Sequence, residues 1–201
     1  MLLTKNFQKL KPIIFIILLI PSFIWVFQFF NGNLGVNPIE NLMDKMGLMA
    51  LRIIILTLLV SSLADIKSFK SIIVLRRMIG LFAFYYVCLH FLTYVILDHF
   101  FDIKFIFKDI AKRPFITFGF ISFVCLIPLA ITSNKFSIRK LSYKIWKRIH
   151  YLIYLAAILS SLHFYMLVRA NKTEPLIYII IIILLLSYRM ITKVIFLRLF
   201  Q

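Results

Sequence analysis

The 201-residue chain is poor in glycine, cysteine and acid. Its five glycines do not cluster, so it has no Gly-rich loop that could cradle a phosphate. The two cysteines, Cys88 and Cys125, fall inside apolar stretches with no partner spacing. Their placement argues against a disulfide framework and a cysteine metal site, and both thiols read as small buried hydrophobes. Seven acids face 24 lysines and arginines, a formal net charge of +17. No internal sequence repeat is evident. No polar stretch exceeds roughly 15 residues, too short for a soluble domain. Any chemistry must take place in a membrane or on a partner.

What is present is apolar side chain in long blocks. Of all residues, 63% are hydrophobic, more than a soluble domain of this length could bury. Six runs, at about 12–30, 46–64, 77–98, 114–132, 148–168 and 175–193, approach or exceed the roughly 20 residues that cross the hydrocarbon core. The first is too long for a cleaved signal peptide. The expected fold is all-α: one integral membrane bundle of six transmembrane helices spanning residues 1–201.

The basicity is one-sided. With the N-terminus placed inside, 16 cations share the inner segments with a single acid, Asp65; these cations include Lys5, Lys193 and Arg198. The outer segments hold eight cations and six acids. This is the positive-inside pattern of a multi-pass inner-membrane protein with both termini cytoplasmic. The charge meets anionic lipid and gives no reason to invoke nucleic acid.

His90, His150 and His163 lie within the apolar runs. Ionisable groups at membrane depth are costly and mark functional sites, and neutral imidazole is a common ligand for haem iron. Helices three and five run in the same direction. His90 is about 21 Å beyond Arg76 and His163 about 24 Å beyond Lys147, at 1.5 Å per residue. Two histidines at one depth on neighbouring helices can supply both axial bonds of a haem; the alternative is a pair of interhelical hydrogen bonds. His150 is at the inner end of helix five, opposite Arg76 rather than a histidine. Thirteen residues also place it about 140° around an ideal helix from His163. It is either a ligand of a second haem or an interfacial residue. His99, between Asp98 and Asp102, reads as a solvated loop residue.

Four arginines are candidate cofactor contacts. Arg52 either meets a haem propionate or snorkels to the outer interface. Arg76, Arg77 and Arg148 cluster at the inner face. They bind propionate, flavin phosphate or a reduced quinone, or they serve only as topology signal and lipid contact.

The ordered motifs resemble a known family. They are Leu34-Gly35-Val36-Asn37-Pro38, Leu75-Arg76-Arg77-Met78-Ile79-Gly80, Leu89-His90-Phe91-Leu92-Thr93-Tyr94, Arg113-Pro114-Phe115-Ile116-Thr117-Phe118-Gly119, Thr132-Ser133, Trp146-Lys147-Arg148-Ile149-His150-Tyr151 and His163-Phe164-Tyr165. Together they are similar to the haem-binding membrane subunits of bacterial methionine-sulfoxide reductase systems, the MsrQ family, within the ferric-reductase-like transmembrane superfamily. The resemblance implies b-type haem iron linked to His90, His150 and His163, and an associated flavin mononucleotide. It also implies electron flow from the quinone pool or a cytoplasmic flavin reductase to MsrP, a periplasmic molybdenum-dependent reductase that repairs oxidised methionine. Catalysis would then reside on the partner. One departure is Leu141-Ser142, where the family often has Leu-Gly. Three other classes compete: a ferric or cupric reductase with an external flavoprotein donor, a small transporter with a histidine proton relay, and a structural subunit. The transporter would need acids at mid-depth, and none is there.

Overall fold

The computed structural model describes the backbone of residues 2–199 and the side-chain surroundings of residues 7–192. The side chains of Lys5, Lys193 and Arg198 lie outside the described residues. Among the described residues eight α-helices appear in order: α1 (Leu2–Phe30), α2 (Pro38–Leu63), α3 (Ile73–Leu92), α4 (Ile103–Lys112), α5 (Pro114–Ile131), α6 (Lys135–His150), α7 (Leu152–Leu167) and α8 (Thr173–Leu199). Among the described residues there is no strand. Six spans are long and apolar enough to cross a membrane. The six-helix expectation therefore holds, and α4 and α6 are additions to it.

The central pillar is α2. Of its apolar window 56% is buried, twice the 28% of the span through α3. Met46, Ala50, Ile53, Ile54, Thr57, Leu58 and Ser61 recur at helical spacing on the buried face. Its hydroxyls are satisfied within the helix: Thr57, Ser61 and Ser62 each donate to the carbonyl four residues back. A hydroxyl would otherwise be costly at this depth.

Two antiparallel pairs form the core, α2 with α3 and α5 with α7. In the second pair Ala156 and Ala157 are fully buried, and Ser122 donates to the Ala156 carbonyl at 3.0 Å. Small residues let these backbones approach closely. The lipid-facing helices dock on this core by a few polar ties. Tyr86 Oη donates to the Leu18 carbonyl at 2.7 Å, and Ser22 Oγ meets Tyr85 Oη at 3.0 Å, which fixes α1 to α3.

Read as loops from the sequence, α4 and α6 fold as surface helices. Asp102 caps α4 by accepting from the Phe105 amide at 3.0 Å. Asn134 caps α6 through the Ser137 amide at 2.7 Å. Midway through α6 the chain kinks at Ser142, with φ 61° and ψ 154°. That region is all but restricted to glycine and costs roughly 1–3 kcal/mol for other residues. Ser142→Gly relieves the clash and returns about 0.5–1 kcal/mol to unfolded-state entropy. The expected result is a net gain of about 1 kcal/mol, read as a higher Tm than wild type.

Candidate functional site

His90 and His163 stand together, as their matched depth predicts. Their ring centres are 6.1 Å apart, with planes at 77°. His90 leaves the last turn of α3, and its Nδ1–H donates to the Met43 carbonyl of α2 at 2.9 Å. His163, on α7, donates in the same way to the Phe115 carbonyl of α5 at 2.6 Å. A carbonyl can only accept, so in both rings the proton is on Nδ1 and the lone pair on Nε2. Neither Nε2 has a protein hydrogen bond among the described residues.

This arrangement fits haem iron. Two metal–imidazole bonds of about 2 Å each, with the ring centres about 1 Å behind their nitrogens, set the centres about 6 Å apart. Orientation of a ligand imidazole by a backbone carbonyl is the usual outer-shell device of metal-binding histidines. No third His, Cys, Asp or Glu joins the pair, and no cluster of three such groups exists among the described residues. The donor set therefore suits a metal whose remaining ligands are supplied by a macrocycle.

Next to the pair, at the end of the bundle opposite the termini, is a compact polar knot. Asp109 of α4 is 7% exposed. It accepts from Tyr94 Oη at 3.0 Å and lies 3.3 and 3.4 Å from Arg113 Nη1. His99 inserts between the Tyr94 and Phe105 rings, with centres 4.4 and 5.0 Å away. Its Nε2 is 3.5 Å from Asp98 Oδ2 and 3.9 Å from Asp109 Oδ2, buried and without a hydrogen bond. The expected solvated loop histidine is thus largely enclosed, because α4 folds back over it.

The remaining candidates separate. At the same end, Arg52 donates from Nε to Tyr178 Oη at 2.7 Å and pairs with Glu174 at 3.3 Å; its side chain is 52% exposed. Its partners are on α8. At the end bearing the termini, His150 stacks on Trp146 at 3.9 Å and donates from Nδ1 to the Trp146 carbonyl at 3.0 Å. It lines a cavity of about 350 Å³ with Arg76, Arg77, Lys147, Arg189, Tyr143 and Tyr154. No acid lines this cavity and no second histidine faces His150. Arg148 is exposed and does not line it. Between His150 and His163 the chain passes through one tightened turn at Tyr151, whose backbone stays helical (φ −71°, ψ −17°) while its amide bonds to the Arg148 carbonyl three residues back. Sequence reasoning did not single out Arg189, which sits over the Tyr154 ring at 5.4 Å. It also missed the two carbonyl partners, since a backbone group is not a residue type.

Two half-buried imidazoles gripped across a bundle of six apolar spans define a ferric-reductase-like transmembrane protein, and the family model described as "Ferric reductase like transmembrane component" matches residues 46–161. The chain is 39% identical to the protein-methionine-sulfoxide reductase haem-binding subunit MsrQ of Azospira oryzae, over 94% of this chain and 82% of that relative. It is 44% identical to the corresponding subunit of Brucella anthropi, over 84% and 76%, and 44% identical to that of Brucella ovis, over 83% and 76%. The chain belongs to the MsrQ family of ferric-reductase-like transmembrane proteins.

Proposed function

We propose that this chain is a b-haem electron-transfer subunit of the bacterial inner membrane, with both termini cytoplasmic. It takes electrons from quinone or a cytoplasmic flavin reductase at its basic end. It passes them to a periplasmic, molybdenum-dependent methionine-sulfoxide reductase of the MsrP type, and sulfoxide reduction and protein repair take place on that partner. The observation that carries this reading is the His90–His163 pair, with both Nδ1 atoms committed to carbonyls and both Nε2 atoms free. The one-sided charge supports the orientation, and the relatives' printed name supports the methionine-sulfoxide partner.

Haem held between these rings would supply one-electron redox chemistry. The chain's own contribution is to bind, orient and exclude water. Met43 and Phe115 fix the imidazoles, and the surrounding apolar helices keep them dry. With Cys88 on α3 and Cys125 on α5, the chain has no cysteine pair beside a histidine for covalent attachment. A covalently attached c-type haem is thereby set aside in favour of b-type, and one per chain is expected. A second haem at His150 would face Arg76 instead of a second imidazole. A reduced-minus-oxidised spectrum with haem counted per chain tests the reading; a colourless purified protein overturns it.

The cavity at the basic end suits the donor side. Its cations and aromatic rings complement a flavin mononucleotide phosphate and ring system, or the anion of a reduced quinone. Arg76→Gln is expected to slow reduction by quinol or flavin donor about tenfold, the loss of one charge-assisted hydrogen bond. The dithionite-reduced haem band should stay at full height. An unchanged donor rate removes Arg76 from the donor site.

A further inference from the structure

The rings of His90 and His163 each lie against a glycine. A Cβ added at Gly47 would come 2.8 Å from His90 Nδ1 and 3.0 Å from Cε1. A Cβ added at Gly119 would come 2.9 Å from His163 Nδ1 and 3.1 Å from Cε1. Both are closer than a carbon side chain tolerates. Neither glycine has a positive φ; the positive-φ glycines are Gly32 and Gly35. Gly47 and Gly119 are thus required by space, not by backbone conformation.

Their register explains why. Gly47 is four residues after Met43, and Gly119 is four after Phe115. In an α-helix the carbonyl of residue i accepts from the amide of residue i+4. The Met43 and Phe115 carbonyls therefore serve the helix with one lone pair and a histidine with the other. Any side chain at i+4 would stand in the path of the second bond. The same device occurs on two different helices, once for each histidine.

We infer that Gly47 and Gly119 are paired positioning residues, which open a helix carbonyl to each imidazole and thereby set the near-perpendicular rotation of the two rings. This rests on the haem reading above and extends it to residues that touch no cofactor. Near-perpendicular axial imidazoles give ferric low-spin haem a strongly anisotropic paramagnetic resonance signal, with a largest g value well above that of parallel rings.

The experiment compares Gly47→Ala, Gly119→Ala and Gly80→Ala with wild type, all purified as full chains in detergent. Haem per chain, the ferric resonance spectrum and the midpoint potential are read, with circular dichroism for folding. At Gly80 a Cβ meets only Thr57 Cγ2, at 3.6 Å, which is ordinary contact. The expected result is a several-fold fall in haem content, or a shifted low-spin signal and potential, in the first two variants, with Gly80→Ala like wild type. Wild-type haem content, signal and potential in both Gly47→Ala and Gly119→Ala overturn the inference while leaving the haem reading intact. If the first two variants fail to fold, wild type decides alone. A strongly anisotropic signal supports the inference, and the signal of parallel rings overturns it. Wild type without haem overturns the haem reading itself.

Discussion

On the proposed haem assignment, His90→Ala and His163→Ala should each abolish the haem absorbance of the reduced protein. Every other polar contact of the two rings is to a backbone carbonyl that the helix already uses, so removing one ring strands no buried partner. The fold should persist, with circular dichroism close to wild type. On the proposed assignment the variant would keep only one of the two imidazoles that would hold the haem, too few for a haem without a covalent link. The expected loss is complete within the sensitivity of the spectrum. His150→Ala supplies the contrast: its ring is stacked on Trp146 at the opposite end, so the reduced band should remain at full height. Full haem content in both single variants would sink the ligand assignment, whatever His150→Ala does.

The depth match between His90 and His163 was readable because helical rise is nearly constant and a cationic boundary marks the start of both helices. The six spans were readable because bilayer thickness imposes a length that few other structures need. Short surface helices escape that reading, since their apolar and charged residues cancel in any average. The period was nonetheless present in α4: Ile103, Ile106 and Ile110 fall on one stripe after the Asp102 cap. His99 was misread because its sequence neighbours are acids, whereas its surroundings come from α4 folding back over it. Asp109, ten residues further on, contributes to its enclosure, and a local window does not see that far.

A structural repeat was hidden for a different reason. Gly47 precedes His90 by 43 residues and Gly119 precedes His163 by 44. The two antiparallel pairs place a carbonyl, a glycine one turn on and a histidine in the same relation. Only two letters per unit carry the pattern, because membrane packing accepts many apolar side chains at all other positions. The carbonyl, which does half the work of orientation, has no letter at all. At Leu141-Ser142 the reverse holds: a departure from the resembling family fell where the backbone has a positive φ, and its physical meaning appeared only with the angle.

Asp109→Ala should cost both stability and haem content. Its carboxylate is 7% exposed and receives Tyr94 Oη and Arg113, with His99 Nε2 at 3.9 Å. Alanine leaves the Tyr94 phenol enclosed without its acceptor, whereas His99 Nε2 has no hydrogen bond to lose. At about 1–3 kcal/mol for the stranded phenol, the loss is read as a Tm lower by roughly 2–12 °C. The position of the knot gives it a second effect. Tyr94 is one turn beyond His90. Arg113 precedes by two residues the Phe115 whose carbonyl holds His163, and its guanidinium is 4.8 Å from the Phe115 ring centre. Asp109 therefore clasps the ends of both histidine supports. Haem content should fall further than stability alone requires. Leu58→Ala provides the comparison, since it removes a fully buried side chain from α2 toward the basic end at an equal or greater cost of about 2–5 kcal/mol. Asp109→Asn keeps an acceptor for Tyr94, loses the charge that draws Arg113, and should fall between wild type and Asp109→Ala in both readouts. Equal haem loss per unit of stability in Asp109→Ala and Leu58→Ala would show that the knot only holds the fold together and does not hold the two histidines in register.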